Sequence, residues 1–88
     1  MEKQPNGTLF YEVIWLYFRR IYDLREDNDF SQKTVAAFLE MHPNVYRRYE
    51  KGTREIPVSV VMKLADFYHV STDYLLGRTD DPTPPQGK

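Results

Sequence analysis

Apolar side chains recur along this chain at the three- and four-residue steps of an α-helix, not at the two-residue step of a strand. From Thr8, a candidate N-cap, to about Glu26, one face is marked by Phe10, Ile14, Tyr17, Ile21 and Leu24 and widened by Leu9, Val13 and Leu16. After the polar loop Asp27-Asn28-Asp29 and an anchoring Phe30, a second, short helix is expected behind the candidate cap Ser31. Its face is Val35, Phe38 and Leu39, and Ala36 is the small residue that a crossing helix needs. The pattern breaks at Glu40 and restarts at Pro43, a residue suited to the first helical position, with Val45, Tyr46 and Tyr49 turned inward. Gly52 is the expected left-handed residue that closes this third helix. Ile56-Pro57 opens a fourth, on which Val58, Val61, Leu64, Ala65 and Tyr68 are in register, with Val60 and Phe67 beside them. Ser71 caps a fifth that holds Tyr74, Leu75 and Leu76 and ends at Gly77. The pattern predicts an all-α, five-helix domain over residues 8–77, between a flexible N-terminus (1–7) and a disordered, proline-rich tail (78–88). Nothing foldable follows Gly77, so no separate ligand domain is expected.

Composition narrows the function. At 88 residues, 41% of them hydrophobic and 15% aromatic, the chain can build one compact core. It has no cysteine, so neither a disulfide framework nor a thiolate metal site is expected. His42 and His69 stand apart from any partner at metal-ligand spacing. With no glycine-rich phosphate loop and no acid pair in an obvious pocket, the chain lacks a catalytic constellation, and neither enzyme activity nor a cofactor is expected. The apolar run from Leu9 to Phe18 is too short to span a bilayer and passes straight into Arg19-Arg20, so a cytoplasmic protein without a membrane segment is expected.

The formal net charge of −1 does not announce a nucleic-acid binder, but its distribution does. Between Ser31 and Glu55, five cations (Lys33, Arg47, Arg48, Lys51, Arg54) face three acids (Glu40, Glu50, Glu55). The outward stripe of the third helix is Pro43, Asn44, Arg47, Arg48 and Lys51. Two short helices at a steep angle, the second presenting amide and guanidinium groups, have the form in which a helix-turn-helix reads DNA. Asn44 can pair with adenine N6 and N7, and Arg47 or Arg48 can donate twice to guanine O6 and N7. Lys51, Thr53 and Arg54 are candidate phosphate contacts.

Gln32 to Lys51, then Gly52-Thr53-Arg54-Glu55, Lys63 to Phe67 and Val70 to Gly77, resembles the Cro/C1-type (Xre-like) helix-turn-helix repressors of bacteria and phages. The likeness covers roughly residues 17–77. It implies a lambda-repressor-like domain, to which Thr8 to Leu16 adds an extension of the first helix that the likeness does not explain. It also implies that Gln32, with Lys33 beside it, bonds the DNA backbone, and that Arg48 reaches a base with Arg47 left for phosphate. Arg25 and Glu50 would form a structural salt bridge that ties the first helix to the end of the recognition helix. The sequence departs from the pattern at Glu40, where the family prefers glycine, and at Pro43, where a polar residue is usual.

The implied function is a sequence-specific transcriptional regulator of bacterial or phage origin, a repressor that binds double-stranded DNA at a palindromic operator as a homodimer without a small-molecule ligand. The alternative is an antitoxin-like or accessory protein-interaction module on the same fold. Two roles stand open for the aromatic extension Thr8 to Leu16: enlargement of the domain's own core, or a dimer contact.

Overall fold

The structure, a computed structural model, describes residues 17–85. Five helices follow one another: α1 (Arg19–Asp27), α2 (Gln32–Phe38), α3 (Pro43–Lys51), α4 (Val58–Tyr68) and α5 (Thr72–Leu75). No strand occurs among the described residues. The expected flexible N-terminus, the extension Thr8 to Leu16 and the last three residues lie outside them.

Local chemistry sets most of the boundaries. The Ser31 hydroxyl accepts from Thr34 N at 3.0 Å and the Ser71 hydroxyl accepts from Tyr74 N at 2.9 Å, so each satisfies a first-turn amide with no partner inside its helix. Pro43 occupies the first turn of α3. Ahead of it His42 serves as the cap, its Nδ1 accepting from Asn44 N at 3.1 Å. All five helices close with the same pair of backbone bonds around one left-handed residue. In α2, for example, Met41 N donates to Ala36 O and Glu40 N donates to Ala37 O, each at 3.0 Å. Glycine fills the left-handed position after α3 and α5, but Asp29, Glu40 and His69 fill it after α1, α2 and α4.

Asp and His are tolerated in that conformation better than glutamate is. Glu40 is exposed, has φ 59°, and lies in the turn between the two motif helices. Glu40→Gly is therefore expected to stabilise the domain by about 1 kcal/mol through relief of the left-handed penalty. Urea denaturation of the two proteins checks this; a glycine variant less stable than the parent would refute it.

The core is assembled from one face of each helix: Ile21 of α1, Val35 and Ala36 of α2, Tyr46 of α3, Val60, Val61, Leu64 and Ala65 of α4, and Leu75 of α5. Tyr46, Val35, Ala36 and Leu64 are fully buried. Each large apolar side chain so buried contributes about 1.5–3 kcal/mol. Ala36, the small residue of α2, is fully buried in this core.

Three expectations need correction. The first helix does not run unbroken from Thr8 to Glu26: Phe18 is extended (φ −112°, ψ 96°) and α1 begins at Arg19. The backbone of Tyr17 lies against Gly52 at the end of α3, so the chain entering α1 crosses that helix end instead of continuing the axis of α1. Phe38 and Val58 were expected to face inward, yet they are 46% and 74% exposed. Phe38 instead stacks on Phe67 with ring centroids 4.2 Å apart, at the edge of the core, where Phe67 also meets Phe30 at 5.4 Å. The tail is not free from Arg78 onward. Arg20 donates to the carbonyls of Tyr74 (3.0 Å) and Thr79 and to the Asp80 carboxylate (2.6 Å), and Ser71 N donates to Pro82 O at 3.0 Å. These bonds hold the first residues of the tail on α1 and α5.

Candidate nucleic-acid interface

α3 displays Asn44, Arg47, Arg48 and Lys51 to solvent, with Pro43 half-buried at its start. Its opposite side carries the fully buried Tyr46 and the buried Glu50, flanked by the half-buried Val45 and Tyr49. This division follows from helical spacing: residues 46 and 50 are one turn apart on the inner face, and 44, 47, 48 and 51 fall on the outer one. Lys33 is exposed on the first turn of α2. Thr53 and Arg54 are exposed just past Gly52, where the Thr53 amide and hydroxyl both donate to Arg48 O, at 3.1 and 3.4 Å.

Beneath this face lies a buried polar cluster. Arg25 Nε donates to Glu50 Oε2 at 2.6 Å, and Gln32 Nε2 donates to Glu50 Oε1 at 2.5 Å. Arg25 also donates to Phe30 O at 2.8 Å and lies 3.3 Å from the Glu26 carboxylate. Three helices thus meet at one carboxylate: α1 through Arg25, α2 through Gln32, and α3 through Glu50. Burial pulls the Arg25 pKa down, but the bond to Glu50 and its charge outweigh this and hold it above the ordinary value. Burial pushes the Tyr46 hydroxyl up, with the Glu50 charge adding to it, and pushes Tyr68 up to about 12. Both tyrosines therefore stay neutral at physiological pH.

The structure thus brings together Arg25, Glu50 and Gln32, and sets Asn44, Arg47, Arg48 and Lys51 on one outward stripe. Sequence reasoning missed the Gln32–Glu50 bond, because an amide at a helix start gives no sign of a partner eighteen residues away. It also missed His42 as a cap; its position immediately before Pro43 was the available signal.

The chain matches a family model described as helix-turn-helix over residues 21–75. Among curated proteins it is similar to the HTH-type transcriptional regulator YobD of Bacillus subtilis, at 33% identity over 78% of this chain and 62% of the relative. It is also similar to the HTH-type transcriptional regulator ImmR of the same organism, at 34% identity over 70% of this chain and 49% of the relative. A third likeness is to the cryptic phage CTXphi transcriptional repressor RstR of Vibrio cholerae, at 40% identity over 62% of this chain and 50% of the relative. The chain spans about half to three-fifths of the length of these relatives. No solved structure matches it. The family is one of DNA-binding regulators and not of enzymes. With the two crossing helices, the capped turn and the matched residues in agreement, this chain belongs to the Cro/C1-type helix-turn-helix family of transcriptional regulators.

Proposed function

We propose that this chain is a sequence-specific repressor that seats α3 in the major groove of a palindromic operator and acts as a homodimer in the cytoplasm. The observation that carries the reading is the outward stripe Asn44, Arg47, Arg48 and Lys51 on a helix whose inner side is fastened at Glu50 to α1 and α2. A fastened helix presents its side chains in one geometry, which base recognition by paired hydrogen bonds requires. Asn44 reads adenine, Arg48 reads guanine, and Pro43 offers an apolar edge to a thymine methyl. Arg47, Lys51, Gln32, Lys33, Thr53 and Arg54 contact backbone phosphates and set the register. One helix touches only a few base pairs, so two copies on half-sites one helical turn apart supply the remaining specificity.

Selection from random duplex DNA supplies the operator for the test. Arg48→Ala is then expected to cost about 1–3 kcal/mol on that operator and to relax preference at one base pair. A loss of the same size on scrambled DNA would reduce Arg48 to a backbone contact.

The second reading, an antitoxin-like or accessory protein-interaction module, draws support from the exposed apolar pair Val58 and Met62, one turn apart on α4. Salt-dependent retention on DNA decides between the two, since a phosphate-binding protein loses affinity steeply as salt rises.

A further inference from the structure

We propose that the groove between α1 and α3 receives a phosphate of the DNA backbone, with Tyr17 and Tyr22 as neutral hydrogen-bond donors to it. The proposal rests on the DNA-binding reading above and extends it to two residues on the α1 side that the helix-turn-helix motif does not include.

The groove has a volume of about 430 Å³, and its walls are Tyr17, Tyr22 and Arg25 on one side and Arg47, Glu50 and Lys51 on the other, with Gln32 between them. Its charge favours an anion. Among the described residues Glu50 is the one acid in the lining, and both its oxygens are occupied, by Arg25 and by Gln32. Arg25 balances that carboxylate, while Arg47 and Lys51 form no ion pair with any described residue. The Gln32 amide uses one N–H on Glu50 and keeps a second for a ligand.

The tyrosines are set in place by the fold. The backbone of Tyr17 lies so close to Gly52 that a Cβ there would come within 2.9 Å of it. The Arg25 guanidinium faces the Tyr22 ring at 5.6 Å from its centre. Both side chains remain 40% exposed, and a phenolic hydroxyl is a good donor to a phosphate oxygen. Asn44 and Arg48 are absent from the lining, so the groove follows the edge of α3 that carries Arg47, Glu50 and Lys51. A helix seated in the major groove has a phosphate strand along each flank, and this edge is one such flank.

Fluorescence anisotropy on labelled duplexes, the selected operator and a scrambled one, tests the idea. Tyr22→Phe and Tyr17→Phe should each weaken binding about 3- to 10-fold, as loss of one neutral hydrogen bond does, and equally on both duplexes. The dependence of log affinity on log salt should keep its slope, because a neutral donor displaces no counterion, whereas Lys51→Ala should flatten it by about one. Thermal midpoints should not change, since the rings remain. Unchanged affinity in both phenylalanine variants would overturn the proposal, and so would a loss confined to the selected operator, which marks a base reader. A saturable shift of the Tyr22 ring resonances by inorganic phosphate alone, at fixed ionic strength, would assign the groove to a free anion instead. If the parent protein shows no salt-dependent binding to either duplex, the DNA reading itself fails, independently of the tyrosines.

Discussion

Glu50→Ala should destabilise the domain by about 3–5 kcal/mol, the usual cost of removing one partner from a buried ion pair. Glu50 is 3% exposed and Arg25 8%, so the guanidinium left behind cannot recover full hydration. Its remaining contacts would be the Phe30 carbonyl and the half-exposed Glu26, and Gln32 would lose its acceptor as well. A loss of that size is a large share of the roughly 5–15 kcal/mol that holds a typical domain folded. Glu50→Gln should cost less, since a carbonyl oxygen remains to accept one of the two bonds while the charge is lost. Urea denaturation followed by circular dichroism measures all of these. The double variant Arg25→Ala/Glu50→Ala should lose less than the two single losses added together, because the second change removes an ion already left without its partner. A Glu50→Ala cost below about 1 kcal/mol would place the pair among solvated surface bridges and remove its role as the joint of α1, α2 and α3.

Gly52→Ala should be nearly as damaging, for two separable reasons. The residue sits at φ 82°, where an L side chain costs about 1–2 kcal/mol. An added Cβ would also meet Tyr17 Cα and Cβ at 2.9 Å, and the obstacle is backbone that cannot rotate away. Such overpacking adds about 1–3 kcal/mol and shifts the segment that leads into α1. Gly77→Ala is the internal control: its φ is 77°, but an added Cβ would have no atom within 4 Å. It should therefore cost the backbone term alone. Equal losses at the two glycines, by urea denaturation, would mean that Tyr17 moves aside freely, and the link between Tyr17 and the end of α3 would be lost.

The same two sites divide what a chain can say locally from what it cannot. A left-handed closing residue is a rule about neighbours in sequence, and Gly52 was readable from the helix end it follows, while Glu40 stood out only against the glycine that the resembled family prefers there. The caps Ser31 and Ser71 were readable for the same reason, since each accepts from an amide three residues on, and so was the opening Pro43, which has no N–H left unpaired in the first turn. The outward stripe Asn44, Arg47, Arg48 and Lys51 came from helical spacing, and the matched family adds DNA to it. Periodicity tells which side of a helix is apolar, but not how far the neighbouring helices cover it. Phe38 and Val58 sit on apolar faces and are nonetheless exposed, because none of the described helices reaches far enough to cover them.

Partners distant in sequence belong to tertiary structure alone. Arg20 captures carbonyls more than fifty residues away, and a proline-rich tail that composition marks as loose is held there. Tyr17 crosses Gly52, which ends at Phe18 a helix that the apolar pattern carries back to Thr8. Gln32 turns to Glu50, and a groove opens beside them with two tyrosines on its wall. By itself the sequence determined helices α2 to α5, the caps Ser31 and Ser71 and the outward polar stripe of α3, through interactions within about one turn. Which surfaces are covered, where α1 begins and what lines the groove depended on helices meeting in space, where one backbone crossing or one buried carboxylate outweighs local preference.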